Sequence, residues 1–324
     1  LPWCIKHNAL PTGCGPVYSV RVHKDSRLVP WLTLLSAVVL WGVSFISTKV
    51  ILRELPPAST ALFRMLPALT VLGLLMYRRR ERFLPQRRDW WRFIVAAFFG
   101  IVLYMVLENT GLRFTSASTA SMLVASIPVF VLVIESLVSR SRIHLWELGC
   151  ILGSLGGVWL VLFDGRLPDL GLSSFMGNVL VLGAMASWIV YTFIARKLGQ
   201  SYSGLQQTTL QSVLAVFLYL PFTIPEIPSW RVPSPLALAN LVFLGVFCSG
   251  LAYVAYLHSL KKLGTVLPSA FLNLIPVVTI LSALVALGEI PGPFQLAGAS
   301  LIIACLSLLS LSRWKNRGAS APPD

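Results

Sequence analysis

Ten apolar segments, each long enough to cross a lipid bilayer, dominate this sequence of 324 residues. Each segment is bounded by charged residues, Pro or Gly, and a helix rising about 1.5 Å per residue spans a hydrocarbon core of about 30 Å over this length. Their approximate limits are 31–51, 58–77, 92–112, 116–138, 145–163, 176–195, 204–223, 236–259, 265–287 and 293–311. Only 12% of the residues are charged, about half the usual share in soluble proteins. We therefore predict an all-α integral membrane protein with ten transmembrane helices.

The basic residues indicate which ends of these spans face the cytoplasm. If the N-terminus is cytoplasmic, 20 of the 26 Lys and Arg residues fall in inner segments, seven of them within 78–92, and five in outer segments. Positive charge concentrates in cytoplasmic loops of membrane proteins. We expect a multi-pass protein of the inner or plasma membrane with both termini cytoplasmic. The net charge of +14 thus reflects topology, and no nucleic-acid partner is expected.

The remaining segments carry no pattern of a cofactor or metal site. Residues 1–29 are expected to form an N-terminal cytoplasmic tail without a cleavable signal peptide, and residues 313–324 a C-terminal cytoplasmic tail. The five cysteines lack zinc-like or haem-like spacing. Phosphate-binding and metalloprotease motifs are absent from the sequence. We expect no metal, no cofactor and no enzymatic activity.

The two halves of the chain resemble each other at a nearly constant spacing. LSAVVLWGVSFISTK (35–49) aligns with LGAMASWIVYTFIARK (182–197), pairing Trp41 with Trp188 at a shift of 147. At a shift of 148, residues 111–130 align with residues 259–278. We predict a first repeat of helices 1–5 over residues 30–164 and a second repeat of helices 6–10 over residues 175–312. Since each has five spans, the second is inverted in the membrane, an arrangement typical of secondary transporters that work by alternating access.

Three stretches resemble the EamA-type branch of the drug/metabolite transporter superfamily. They are LWGVSFISTKVI with FRMLPAL (63–69), LENTGLRFTSASTASMLVASIPVF (107–130), and residues 259–303 with their Gly-Glu between the ninth and tenth helices. This resemblance implies export of a small metabolite, such as an amino acid or a related amphipathic compound. The chain departs from the repeat at Glu289, whose first-copy position holds Ser141. The alternative is a facilitative channel or a membrane sensor without active transport.

Two charged residues lie within the spans, where a charge is costly and is usually functional. Arg64 falls about seven residues into the second span, and an Arg in this helix also agrees with the family resemblance. It either has a paired or functional role or snorkels to the outer interface. Glu108 lies at a similar depth in the third span. Three interpretations stay open for it: an ion pair with Arg64 at an outer gate, a site for a proton or a substrate amine, and an acid exposed at the interface.

Polar and aromatic side chains form stripes on several spans, and we expect them to line a substrate cavity. Residues four positions apart share a helix face, which groups Tyr104 with Glu108, and Glu108 falls on Tyr256 under the repeat shift. The same side chains also suit interfacial belts or interhelical hydrogen bonds. The predicted substrate-binding residues are Trp41, Ser44, Arg64, Tyr104, Glu108, Trp188, Tyr191, Tyr253, Tyr256 and Asn273.

Two further features have alternative readings. Asn273 with Pro276 either opens backbone carbonyls near the middle of the ninth span or only kinks a packing helix. Small residues of the fifth span, such as Gly157, and of the tenth, such as Gly298, permit close helix approach. They suit either scaffold packing or a homodimer contact. The expected partners are thus a small-molecule substrate, the lipid bilayer and, at these faces, a second copy of the chain.

Overall fold

The computed structural model of the chain describes residues 28–81, 84–125, 145–163, 172–263 and 271–319, with residues 127, 130, 134 and 268. All regular structure in these ranges is helical. The α-helices are α1 Val29–Ile51, α2 Pro57–Phe63, α3 Met65–Arg79, α4 Trp90–Ala97, α5 Tyr104–Phe114, α6 Ala117–Val124, α7 Leu145–Phe163, α8 Leu172–Leu198, α9 Gly204–Thr223, α10 Pro235–Phe243, α11 Ala252–Leu263, α12 Ile275–Leu287 and α13 Pro293–Ala319. Turns of 3-10 helix occupy Arg87–Asp89, Ile224–Ser229 and Leu272–Leu274.

Several of these helices join end to end into spans that cross a membrane. Six helices in the described ranges are long and apolar enough to do so: Val29–Ile51, Pro57–Arg79, Arg87–Phe114, Ser174–Leu198, Gly204–Ser229 and Pro235–Leu263. Three shorter apolar helices cover Leu148–Val161, Ile275–Leu287 and Pro293–Cys305. Ten of the 23 residues of the predicted fourth span and 27 of the 29 residues of the predicted N-terminal tail lie outside the described residues. The fold is an all-helical, multi-pass membrane bundle, and the count of ten helices stays a prediction.

Two π-helical segments interrupt the third and eighth spans at corresponding places. Phe98–Leu103 joins α4 to α5, and Leu244–Leu251 joins α10 to α11. The repeat shift of 147 to 148 superimposes the first segment on the second. A π-bulge widens the helix and is frequent at functional sites, so the sequence duplication is accompanied by a duplicated distortion of the backbone.

Side chains of other helices donate hydrogen bonds to the carbonyls of the first π segment, which anchors it at the centre of the bundle. Ser187 Oγ donates to the Phe99 carbonyl at 2.6 Å, and Tyr253 Oη donates to the Gly100 carbonyl at 3.0 Å. Tyr219 is fully buried, and its Oη donates to the next carbonyl, that of residue 101, at 3.0 Å. Three helices of the second repeat are thereby tied to one turn of the first.

The small-residue faces of α7 and α13 pack against each other within one chain. A Cβ atom on Gly157 would lie 2.7 Å from the Gly298 carbonyl oxygen and 2.8 Å from Ile302 Cγ1. A Cβ atom on Gly298 would lie 2.5 Å from the Gly157 carbonyl oxygen. Such approach distances require hydrogen in place of a side chain, as in other tightly packed membrane helices. The interpretation that Gly157 and Gly298 serve packing between helices of one chain is confirmed. The homodimer stays a prediction.

We expect Gly157→Ala to destabilise the protein, because the new methyl group meets backbone and side-chain atoms of α13. Overpacking of this kind costs about 1–3 kcal/mol. The matched control is Gly156→Ala, one position away, where nothing lies within 4 Å of the added Cβ. There the better helix propensity of Ala leaves stability unchanged or slightly higher. Thermal unfolding midpoints in detergent compare the two variants, and equal midpoints would contradict the close contact.

Candidate functional site

A cavity at the centre of the bundle brings together the polar residues of several spans. The space in it that the centre of a water molecule can occupy is about 40 Å³, enough for a few waters, and the cavity is partly open at its mouth. Its lining residues are Trp41, Ser44, Phe45, Arg64, Tyr104, Met105, Glu108, Val124, Ile127, Trp188, Tyr253, Leu272 and Ile275. Seven of the ten predicted substrate-binding residues are among them. A largely apolar pocket with a few converging polar groups has the composition of a small-molecule site.

Arg64 enters this cavity from the junction between α2 and α3. Its side chain is only 4% exposed, and its Nε donates to Ser249 Oγ at 2.8 Å. Ser249 belongs to the second π segment, so the hydrogen bond joins the two repeats. Snorkelling to the interface is wrong as an explanation of Arg64, because the guanidinium lies inside the protein among side chains of both halves.

Glu108 enters the same cavity from α5. It is 8% exposed, which rules out an acid at the open interface, and its Oε1 accepts a hydrogen bond from Tyr104 Oη at 2.6 Å. The expected spacing of four residues on one helix face thus brings donor and acceptor together. Tyrosine and glutamate form a positioned polar pair that rests on a single helix.

Of the three interpretations of Glu108, a direct ion pair with Arg64 is not what this structure shows. Both residues are fully described, and neither takes part in the salt bridges found there, which involve Glu289 and Asp89. The physical reason is that each charge has a nearer hydroxyl, Ser249 for the guanidinium and Tyr104 for the carboxylate. Two buried opposite charges therefore face one cavity without neutralising each other by contact.

Aromatic rings form one wall of the cavity that Arg64 and Glu108 also line. Trp41 and Trp188, the repeat-related pair, meet edge to face with ring centroids 5.6 Å apart and planes at 86°. Tyr253 lies 5.5 Å from Trp41 and 5.6 Å from Trp188. The Trp41 indole is fixed because its Nε1 donates to the Cys248 carbonyl of the second π segment at 3.1 Å. The repeat thus places two matching indoles at the centre of the fold.

The remaining predicted residues lie behind the wall or outside the described part. Tyr191 packs 5.0 Å from Trp188, and Tyr256 packs 5.2 Å from Trp41, but neither lines the cavity. The side chain of Asn273 lies outside the described residues, although its backbone belongs to the 3-10 turn between two lining residues, Leu272 and Ile275. Substrate binding by all ten residues stays a prediction.

Sequence reasoning missed the apolar part of the lining. Phe45, Met105 and Val124 look like ordinary lipid-facing or core residues, and their hydrophobicity gives no signal of a cavity. Two polar groups beside the cavity also have no hydrogen-bond partner in the described structure, namely Trp188 Nε1 and Tyr191 Oη, both buried. Buried polar groups are normally satisfied, so these two donors are exceptions.

Comparisons with known proteins agree with this architecture. A model of the EamA-like transporter family matches residues 29–163 and again residues 175–311. The chain is 28% identical over 274 residues to an uncharacterised transporter of Archaeoglobus fulgidus, covering 84% of this chain and 94% of the relative. It is 27% identical over 297 residues to a probable terminal-alkyne amino-acid exporter of Streptantibioticus cattleyicolor, covering 90% of this chain and 97% of that protein.

A solved crystal structure shares the fold. It superposes with a TM-score of 0.65 at 19% sequence identity, over 91% of this chain and 100% of that chain. The two consecutive family matches account for nearly all described helices and agree with the membrane-spanning lengths of the helices. The chain therefore belongs to the EamA-like transporter family.

Proposed function

We propose that this transporter carries a small zwitterionic metabolite, such as an amino acid or a related amphipathic compound, through the central cavity. The observation that supports this substrate class is the separation of charge in the site. A buried guanidinium and a buried carboxylate line one cavity, and each is held by a hydroxyl instead of by the other. A zwitterion has one group of each sign to place between them.

The carboxylate of the substrate suits Arg64. A guanidinium has five N–H donors, and only Nε is used by Ser249, so the terminal nitrogens remain for a bidentate carboxylate. The Arg64 guanidinium and the substrate carboxylate would both be buried. Their attraction offsets the cost of removing them from water only if the hydrogen-bond geometry between them is good. Ser249 fixes the fork of Arg64 and thereby supplies that geometry.

The ammonium group of the substrate suits Glu108. Glu108 accepts one hydrogen bond from Tyr104 and, when ionised, retains acceptor capacity for a cation. The faces of Trp41 and Trp188 line the same space, and indole rings attract cations by their quadrupole. Phe45, Met105 and Val124 make the rest of the lining apolar, which fits an amphipathic substrate better than a sugar.

Alternating access between two inverted repeats is the transport mechanism that we infer. It is supported by the two family matches in one chain and by the π segments at repeat-related positions. We infer an inner- or plasma-membrane location with both termini cytoplasmic from the Lys and Arg bias of the loops. Export is inferred from the relative that is named a probable terminal-alkyne amino-acid exporter, which also supports the substrate class. The driving force would be a gradient.

A transport assay with three matched compounds tests the substrate class. Liposomes that contain the purified protein are preloaded with an unlabelled amino acid. Entry of the same amino acid in labelled form is then compared with entry of its labelled decarboxylated amine and of its labelled deaminated acid. We expect counterflow of the amino acid only, because each analogue leaves one buried charge without a partner. Downhill flux without counterflow would indicate a channel, and binding without flux a sensor.

Variants that neutralise Arg64 or Glu108 should show which residue binds the carboxylate of the substrate and which binds its ammonium group. Arg64→Gln should weaken affinity for the amino acid by about 10- to 150-fold, since a hydrogen bond to a charged group contributes about 1.5–3 kcal/mol. It should also remove the preference for the amino acid over its decarboxylated amine. Glu108→Gln should instead remove the preference over the deaminated acid. The same loss of preference in both variants would contradict the assignment of the two ends.

Ser249→Ala should destabilise the protein by about 1–3 kcal/mol, because it leaves the buried Arg64 Nε without its acceptor. The matched control is Ser36→Ala, whose hydroxyl donates to the Thr33 carbonyl at an exposed position on α1. Thermal unfolding in detergent measures both variants. Substrate should restore part of the lost stability of Ser249→Ala, and identical midpoints for the two variants would exclude a role of Ser249 in holding the charge.

A further inference from the structure

Glu226 connects the end of the seventh span to the start of the second. It lies in the 3-10 turn after α9, and its carboxylate accepts from the N–H groups of Ala58 and Ser59 at 3.1 and 2.7 Å. It also accepts from Ser59 Oγ at 2.7 Å. Trp230 Nε1 donates to the same hydroxyl at 2.7 Å. A carboxylate on the first N–H groups of a helix is stabilised by hydrogen bonding and by the helix dipole.

Glu289 makes the same kind of contact between the ninth and fourth spans. Gly288 ends α12 with φ 66°, and the following carboxylate accepts from the N–H groups of Ala117 and Ser118 at 3.3 and 3.2 Å. Lys49 at the end of α1 lies 3.4 Å from this carboxylate. One acidic side chain therefore joins three spans.

Glu54 makes the third contact, between the first and eighth spans. Its carboxylate accepts from Ser234 N–H and from Ser234 Oγ, both at 2.6 Å. These two donors hold the pKa of the Glu54 carboxyl below its usual range, because they bind the ionised form. Ser234 is the N-cap of α10, so here too an acid meets the beginning of a helix.

These three contacts lie at one end of the bundle and have the same pattern. Each acid follows the end of a helix (α1, α9 or α12) and contacts the start of another (α10, α2 or α6). In every case one partner lies in the segment 29–163 and the other in the segment 175–311, the two family-matched halves. We call this end of the bundle, defined by Glu54, Glu226 and Glu289, the latch face.

Related contacts between the two halves lie at the opposite end of the bundle. Glu81, after α3, accepts from Ser203 Oγ at the start of α9, which is the repeat-related counterpart of the Glu226 contact. Tyr202 Oη donates to Asp89 at 2.8 Å in the place that corresponds to the Glu54 contact. At the first-copy position of Glu289 the sequence has Ser141 and no acid. Two of the three latch-face contacts therefore have repeat-related counterparts at the opposite end, and the position that corresponds to Glu289 lies outside the described residues.

We propose that Glu54, Glu226 and Glu289 are gate latches that keep the central cavity closed to this face, and that their release opens it. The proposal rests on the carrier function proposed above and assigns the residues that control access to its site. Hydrogen bonds at a bundle end exchange for water at small net cost, so they can break in each transport cycle, whereas packed apolar contacts resist opening.

Access to the cavity can be measured without any substrate. A cysteine is introduced at the lining residue Ser44 as Ser44→Cys, in a chain whose native cysteines are replaced by Ala or Ser. The protein is reconstituted into sealed liposomes of known orientation, and its labelling by a membrane-impermeant maleimide is timed from the latch face. Glu54→Gln, Glu226→Gln and Glu289→Gln are tested in this background. The matched control is Glu81→Gln, the same change at the opposite end.

We expect each latch variant to label several-fold faster from the latch face than the parent, and the Glu81→Gln control to label no faster from that side. Unchanged labelling in folded latch variants, or an equal increase in the control, would overturn the proposal. If a glutamine variant fails to fold, Ser118→Ala and Ser234→Ala remove one donor each and are subject to the same criterion. Counterflow by the native chain is measured in a separate experiment. Because the labelling assay uses no substrate, its result still tests the latches if the substrate proves not to be a zwitterion.

Discussion

The burial of two opposite charges in a bundle that spans a membrane is the constraint on which this site depends. Water is not available in the hydrocarbon core to stabilise Arg64 or Glu108, and an intramembrane charge without a partner is expensive. Hydroxyl groups offset this cost, because Ser249 forms a hydrogen bond with Arg64 and Tyr104 forms one with Glu108. Because the hydroxyls keep the charges apart, the cavity between them retains polar binding capacity that a direct ion pair would have used up.

The duplicated architecture explains where the cavity is, and the differences between the repeats explain its chemistry. Trp41 and Trp188 occupy matching positions and meet at the centre. Arg64, in contrast, corresponds to Gln211, which is fully buried and whose amide atoms have no hydrogen-bond partner in the described structure. The framework is therefore shared between the halves, while the formal charges of the site come from the first half alone.

The sequence was sufficient to predict an all-helical membrane protein and seven of the thirteen residues that line the cavity, because hydropathy and the spacing of polar residues are local features of the chain. Tyr104 and Glu108 are four residues apart on one helix, and their hydrogen bond is a direct consequence. The sequence left the ion pair as one of three interpretations, because depth in the membrane does not specify how two helices are rotated against each other. Ser249, from another span, lies nearer to Arg64 than Glu108 does, and no local pattern shows this.

The acids at the latch face illustrate the same limit. Glu226 follows an apolar span and looks like an ordinary loop residue, yet it binds the start of a helix 167 positions away in sequence. Contacts of this range depend on how the two halves are docked, which composition and spacing do not encode. Only Glu289 carried a signal, since the repeat comparison showed an acid without a counterpart.

The edge-to-face pair of Trp41 and Trp188 has a spectroscopic consequence. Two indoles 5.6 Å apart with planes at 86°, flanked by Tyr253 and fixed in an asymmetric environment, couple their electronic transitions and give rise to near-ultraviolet circular dichroism, which depends on fixed tertiary packing. The helices that hold these rings belong to different repeats. Relative rotation of the repeats therefore changes an intrinsic optical signal at the cavity, and the unlabelled protein carries its own reporter of conformation.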